Sequence, residues 1–179
     1  MKKKLLVLDL DETLIHANEV SIGRKPDFDI GDYIVYKRPG VNEFVEYCFE
    51  HFDVAIWTSS NRLYADAIVN FLIPDPSKLQ FVWARERCTQ RFIAETYEYT
   101  HLKVFKKLKD QGYSLDLIIG IDDSPEKYMR NYGNLVKVNP YFGEETDNEL
   151  SLLTRYLEIL KQVPNVRKIE KRNWRGQFA

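Results

Sequence analysis

Two aspartates one residue apart, Asp9 and Asp11, follow the apolar run Leu5-Leu6-Val7-Leu8. Residues two apart on an extended segment share a face, so both carboxylates point the same way. Side by side at the rim of a core they repel each other, and desolvation adds to the cost. A hard cation resolves the conflict, and Mg²⁺ favours carboxylate oxygens, water and phosphate. A second pair, Asp122-Asp123, ends the apolar run that starts at Leu115 and can add ligand oxygens. Taken alone, Asp122-Asp123-Ser124-Pro125 reads equally well as a turn, where Asp and Ser are common. A third polar cluster, Thr58-Ser59-Ser60-Asn61, closes the run Val54-Ala55-Ile56-Trp57 with residues that cap helices.

The elements that must position these groups follow from hydrophobic patterning. Leu5 to Leu10, Val54 to Trp57, Phe81 to Trp83, Leu115 to Ile121 and Leu135 to Val138 read as short buried strands. Helical spacing recurs from Val41 to Phe49, from Tyr64 to Leu72 with Pro74 as its stop, and from Leu150 to Leu160. Leu102, Phe105 and Leu108 predict another helix ending near Gly112. The stretch from His16 to Lys37 is broken by Gly23, Pro26 and Gly31 and predicts a β-hairpin flap, with Tyr33 to Tyr36 as one strand. Residues 85–100 show no clean period. Strands alternating with helices imply an α/β domain with a mainly parallel sheet. Ligands of such sheets bind at the carboxyl ends of the strands, where all three polar clusters fall.

A length of 179 residues suits one domain, taken as residues 1–164, with a basic tail over 165–179. Arg167, Lys168, Lys171, Arg172 and Arg175 make that tail a solvated end or a contact for an acidic partner. With a net charge of −1, no global field draws the chain to nucleic acid or membrane. The two cysteines, Cys48 and Cys88, form no CxxC pair, so a reducing compartment is expected, cytoplasmic or otherwise intracellular, the nucleus included. The opening lysines and leucines mimic a signal peptide, but Asp9 and Asp11 interrupt the apolar run too early. A monomer is expected.

Asp9-Leu10-Asp11-Glu12-Thr13-Leu14 resembles the first motif of haloacid dehalogenase-type phosphatases, and Leu8 to His16 resembles the branch of the small phosphatases of the RNA polymerase II C-terminal domain. The likeness continues in order through Lys37 to Phe44, Trp57 to Ser60 with Tyr64-Ala65-Asp66, Arg85 to Cys88, Asp122 to Pro125 and Asn148 to Leu150. A lone DxD also serves sugar-transfer enzymes; the ordered set carries the resemblance. It implies a Rossmannoid three-layer sandwich with a small β-hairpin flap and no large cap domain.

The resemblance further implies Asp9 as a nucleophile carrying an aspartyl-phosphate and Asp11 as the general acid and base. It implies Mg²⁺ on Asp9, the Asp11 backbone carbonyl and Asp123, with Asp122 close by. Thr58 would donate to the phosphoryl group, with helix capping as its alternative role. Lys103 would neutralise the phosphoryl charge, with Lys106 as the competitor. Thr13, Ser59 and Arg85 would contact phosphate or substrate; Arg85 reads equally as a partner in an exposed ion pair. Val20, Ile22, Phe28, Tyr33 and Val35 would divide between lining a pocket and packing the flap.

Three functions compete. A protein phosphatase acting on phosphoserine or phosphothreonine suits an open site. A phosphatase for small phosphomonoesters would use the same chemistry. A binding module of this fold without turnover would be expected to lose the paired aspartates, and this chain keeps them.

Overall fold

The computed structural model describes residues 3–94 and 97–178. In chain order the elements are β1 (Leu5–Leu8), β2 (Ile15–Asn18), β3 (Phe28–Ile30), β4 (Tyr33–Lys37), α1 (Val41–His51), β5 (Asp53–Trp57), α2 (Arg62–Leu72), β6 (Val82–Trp83), β7 (Thr89–Ile93), β8 (Glu98–Leu102), α3 (Lys106–Lys109), β9 (Ile118–Asp122), β10 (Leu135–Lys137) and α4 (Glu149–Leu160). Five of the strands form one parallel sheet in the order β10-β9-β1-β5-β6. β1 lies at its centre, with Leu8 opposite Ile56 on one side and Ile121 on the other.

The near-continuous apolar strands are explained by burial on both faces. Alternate residues diverge. Leu6 and Leu8 join one cluster with Phe44, Ile68, Leu153 and Leu157 from α1, α2 and α4. Leu5 and Val7 join another with Trp57, Trp83, Phe105 and Tyr128. The first face is a helix layer, and each fully buried aliphatic side chain there contributes roughly 1.5–3 kcal/mol. The second is covered by α3, short 3₁₀ turns and an aromatic stack, with Trp57 and Trp83 edge-on at 4.7 Å. Gly120 on β9 has no alternative: a Cβ there would sit 2.5 Å from the Tyr128 ring.

Two antiparallel additions flank the sheet. The flap has three strands, in the order β2-β4-β3, where the sequence pattern suggested two. Phe28 stacks on Phe71 of α2 at 4.5 Å and Val35 is fully buried, so these residues pack the flap on the body. Val20 and Tyr33 are exposed. Within the stretch 85–100 the described residues form a 3₁₀ turn at Arg85–Arg87 and then β7, which pairs antiparallel with β8 from Thr89–Leu102 to Ile93–Glu98.

Three expectations are corrected. Leu102 ends a strand, and the helix expected around it is the single turn α3. Residues Leu115–Leu117 form a 3₁₀ turn, so the strand begins at Ile118. The basic tail does not float: Val166 and Trp174 are fully buried, and Trp174 stacks on Tyr156 of α4 at 5.4 Å. Its indole Nε1 donates to the Lys137 carbonyl at 2.8 Å, and Arg175 pairs with Glu149 and reaches the same carbonyl. An apolar stripe outweighed the charge that dominates a composition reading. No helix among the described residues is long and apolar enough to cross a membrane.

Candidate active site

The parallel ladder carries the carboxylates to one place. The Asp9 amide donates to the Ile121 carbonyl at 3.0 Å, which sets Asp9 beside the end of β9. The Thr58 amide extends the ladder on the other side to Trp83. After Asp11 the chain reverses: Leu14 donates to the Leu10 carbonyl at 2.8 Å, and Glu12 takes a left-handed φ of 55°. Arg38, fully buried, braces this turn by donating to the Thr13 carbonyl at 3.1 Å, and it pairs with Asp147 at 2.7 Å.

Asp9, Asp122 and Asp123 bring one carboxylate oxygen each within 4.8 Å of one another. Lys103, also fully buried, sits between the first two: Nζ lies 2.9 Å from Asp9 Oδ1 and hydrogen-bonds Asp122 Oδ2. Lys127 approaches from the rim, 3.1 Å from Asp9 Oδ2 and 3.7 Å from Asp122 Oδ1. The backbones that carry the two lysines are joined, because the Lys103 amide donates to the Lys127 carbonyl at 2.9 Å. Asn131 ties them again, donating to the Lys103 carbonyl and accepting from the Phe105 amide, both at 3.1 Å.

Burial alone would raise the Asp9 pKa, but the charges of Lys103 and Lys127 outweigh it and hold the carboxyl well below the usual range. Asp122 moves the other way, up to about 7, through burial and then the charge of Asp9. Asp11 has a different setting. Its Oδ1 accepts from the Tyr64 hydroxyl at 2.5 Å and its Oδ2 from the Ser60 hydroxyl at 2.7 Å. Burial raises its pKa in spite of these two hydrogen bonds. Glu12 is pushed up to about 7 by burial and by the charges of Asp11, Asp123 and Asp9.

An open cavity of about 350 Å³ reaches this cluster, lined in part by Asp11, Tyr33, Ser59, Tyr64, Arg85 and Lys127. Ser59 and Arg85, expected to contact phosphate or substrate, both line this cavity, and Arg85 donates Nε to the Ser59 carbonyl at 2.7 Å. Thr58 is fully buried, and its Oγ1 accepts from the Ser60 amide, which leaves its hydrogen free to donate. The cap of α2 is Asn61, not Thr58. Of the two candidate lysines, Lys103 reaches the carboxylates and Lys106 is exposed on α3. Thr13, expected to contact phosphate, is fully buried outside the cavity lining, with its hydroxyl unpartnered. Lys127, Tyr64 and Ser60 were not assigned a role from the sequence. Lys127 lies just beyond the Asp122-Asp123-Ser124-Pro125 segment, and Tyr64 opens the helical pattern that runs to Leu72, where it reads as core.

The donor set suits Mg²⁺. Its atoms are hard oxygens, and among the described residues Asp123 Oδ1 is buried with no hydrogen-bond partner. Asp9 Oδ1, also buried, lies 2.9 Å from the Lys103 ammonium. A buried carboxylate oxygen without a partner is costly, and a coordinated cation removes that cost.

Comparison with known proteins agrees with this geometry. A family model described as NLI interacting factor-like phosphatase matches residues 4–167. CTD nuclear envelope phosphatase 1 of Xenopus laevis is 28% identical over 188 residues, covering 97% of this chain and 73% of its own. Phosphatase PSR1 of Saccharomyces cerevisiae is 34% identical over 166 residues, covering 88% of this chain and 36% of its own. The structure of Fcp1, an RNA polymerase II CTD phosphatase, superposes with a TM-score of 0.59 at 21% identity, over 93% of this chain and 52% of that one. This chain spans about half the length of several such relatives, 50% for a Schizosaccharomyces pombe protein that is 34% identical. With its family model matched over nearly the whole length, the chain belongs to the NLI interacting factor-like phosphatases.

Proposed function

We propose that the protein is a Mg²⁺-dependent phosphatase that hydrolyses phosphomonoesters through Asp9. The observation that carries this reading is the contrast between two carboxyls two residues apart: Asp9 faces two ammonium groups, and Asp11 faces two hydroxyls. An ionised Asp9 oxygen forms a bond to phosphorus while the ester P–O bond breaks, and the Asp11 proton goes to the departing oxygen. Water then attacks the acyl phosphate, Asp11 takes its proton, and phosphate leaves with Asp9 restored. Lys103 offsets charge gathering on the phosphoryl oxygens, and Thr58 and Ser59 supply hydroxyls near them. Mg²⁺ on Asp9, the Asp11 carbonyl, Asp123 and Asp122 would supply charge neutralisation for the phosphate.

The substrate class proposed is a phosphoserine or phosphothreonine segment of a protein. The cavity is open and bordered by the small flap, and Fcp1 and the nuclear envelope relative are CTD phosphatases. A panel of phosphopeptides and metabolites with Mg²⁺ tests both levels. Asp9→Asn is expected to lower phosphate release at least about 10³-fold. An unchanged rate would sink the chemistry, and preference for metabolites would overturn the substrate class.

A further inference from the structure

Lys103 and Lys127 contact the same two carboxylates but differ in freedom. Lys103 is fully buried and held on Asp9 and Asp122. Lys127 follows Pro125 and Glu126 in a 3₁₀ turn, and its side chain is 17% exposed and lines the open cavity. Its Nζ donates to Asp9 Oδ2, an oxygen of the same carboxylate that, with Asp122 and Asp123, makes up the group able to hold a cation. An ammonium and a divalent ion on one carboxylate repel each other, and with Lys103 already there a second ammonium adds to that cost. Lys103 has nowhere to go, whereas the four-carbon stem of Lys127 can swing into the cavity without disturbing its backbone, which Lys103, Asn131 and the Tyr128 ring hold in place.

We propose that Lys127 is a displaceable resident cation: it holds Asp9 before the metal arrives, and metal binding turns it out into the cavity to receive the oxygens of an incoming phosphate. The inference rests on the metal-site reading above. It gives the two ligands a reason to bind together, since each favours the same displaced position of one side chain, and such coupling is reciprocal.

Mn²⁺ serves as the probe, with free ion counted by its electron paramagnetic resonance signal and tungstate as the phosphate mimic. Lys127→Met is expected to bind Mn²⁺ about tenfold more tightly than the natural chain, because one competing unit charge is gone. In the natural chain saturating Mn²⁺ should tighten tungstate binding, and in Lys127→Met that gain should be smaller, because only the direct attraction of the ion remains. Lys127→Gln, which keeps a polar end, should behave as Lys127→Met and covers the case in which the methionine variant fails to fold. Equal Mn²⁺ affinity in the natural chain and either folded variant overturns the inference while leaving the metal site standing. Absence of Mn²⁺ binding in all three chains overturns the metal-site reading and this inference with it.

Discussion

The two sides of the cleft hold chemically similar carboxylates in opposite surroundings. On one side Asp9 is buried between Lys103 and Lys127, and fixed positive charge keeps it ionised. On the other, Asp11 meets only neutral donors, Ser60 and Tyr64, and burial raises its pKa. The difference teaches that a pair of identical residues, two apart on one strand end, is given two roles by the side chains that arrive from elsewhere in the chain.

The comparison can be broken most severely from the charged side. Lys103→Met leaves Asp9 and Asp122 buried with less compensation, and phosphate release is expected to fall at least about 10³-fold. On the neutral side, Asp11→Asn removes the proton that the leaving oxygen needs, with a loss of about 10²- to 10⁴-fold. Both are read from steady-state rates with p-nitrophenyl phosphate and with a phosphopeptide, and the Asp11 variant should suffer more with the poorer leaving group of the peptide.

The brace under the Asp11 turn can be loosened without touching either carboxylate. The Arg38 guanidinium holds the Asp147 carboxyl below its usual range against the opposing effect of burial. A depressed folded-state pKa contributes stability that is present above the unfolded value, near pH 3.9, and lost as pH falls through the folded one. Asp147→Asn is therefore expected to cost about 2 kcal/mol at neutral pH by denaturant unfolding, with the two curves converging in strong acid. The smallest effect is expected for Tyr64→Phe, about tenfold or less in rate, since Ser60 still holds the carboxylate. A change in KM alone would place Tyr64 with the substrate and not with Asp11.

Much of this fold could be read in advance because its signals are local. The apolar run before Asp9, the capping cluster after Trp57 and the acidic pair after Ile121 each announce a strand end, and the parallel sheet brings them together. Between Arg85 and Leu117 the sequence pattern does not announce the elements that form, for two reasons. The strands β7 and β8 mix polar with apolar residues on both faces, Arg91 beside Ile93 on one and Gln90 beside Phe92 on the other, so they show no period, and Leu102 belongs to a strand while sharing helical spacing with Phe105 and Leu108. Lys127 was invisible because its meaning is tertiary: one lysine in a polar turn looks solvated until the chain folds it onto Asp9. Thr13 is the opposite case, a hydroxyl in the Asp9 to Leu14 motif that the turn buries.

The C-terminal segment has a consequence for how copies of this chain meet. A parallel sheet ends in unpaired amides and carbonyls, which invite another strand to dock. At one border β6 spans only Val82 and Trp83, too short a ribbon to template much. At the other, the Lys137 carbonyl of β10 is occupied by the indole of Trp174 and the guanidinium of Arg175. What composition presents as a charged tail thus acts as a hem along that border, covering an outward carbonyl that another strand would need, while the carboxyl ends of the strands stay open for chemistry.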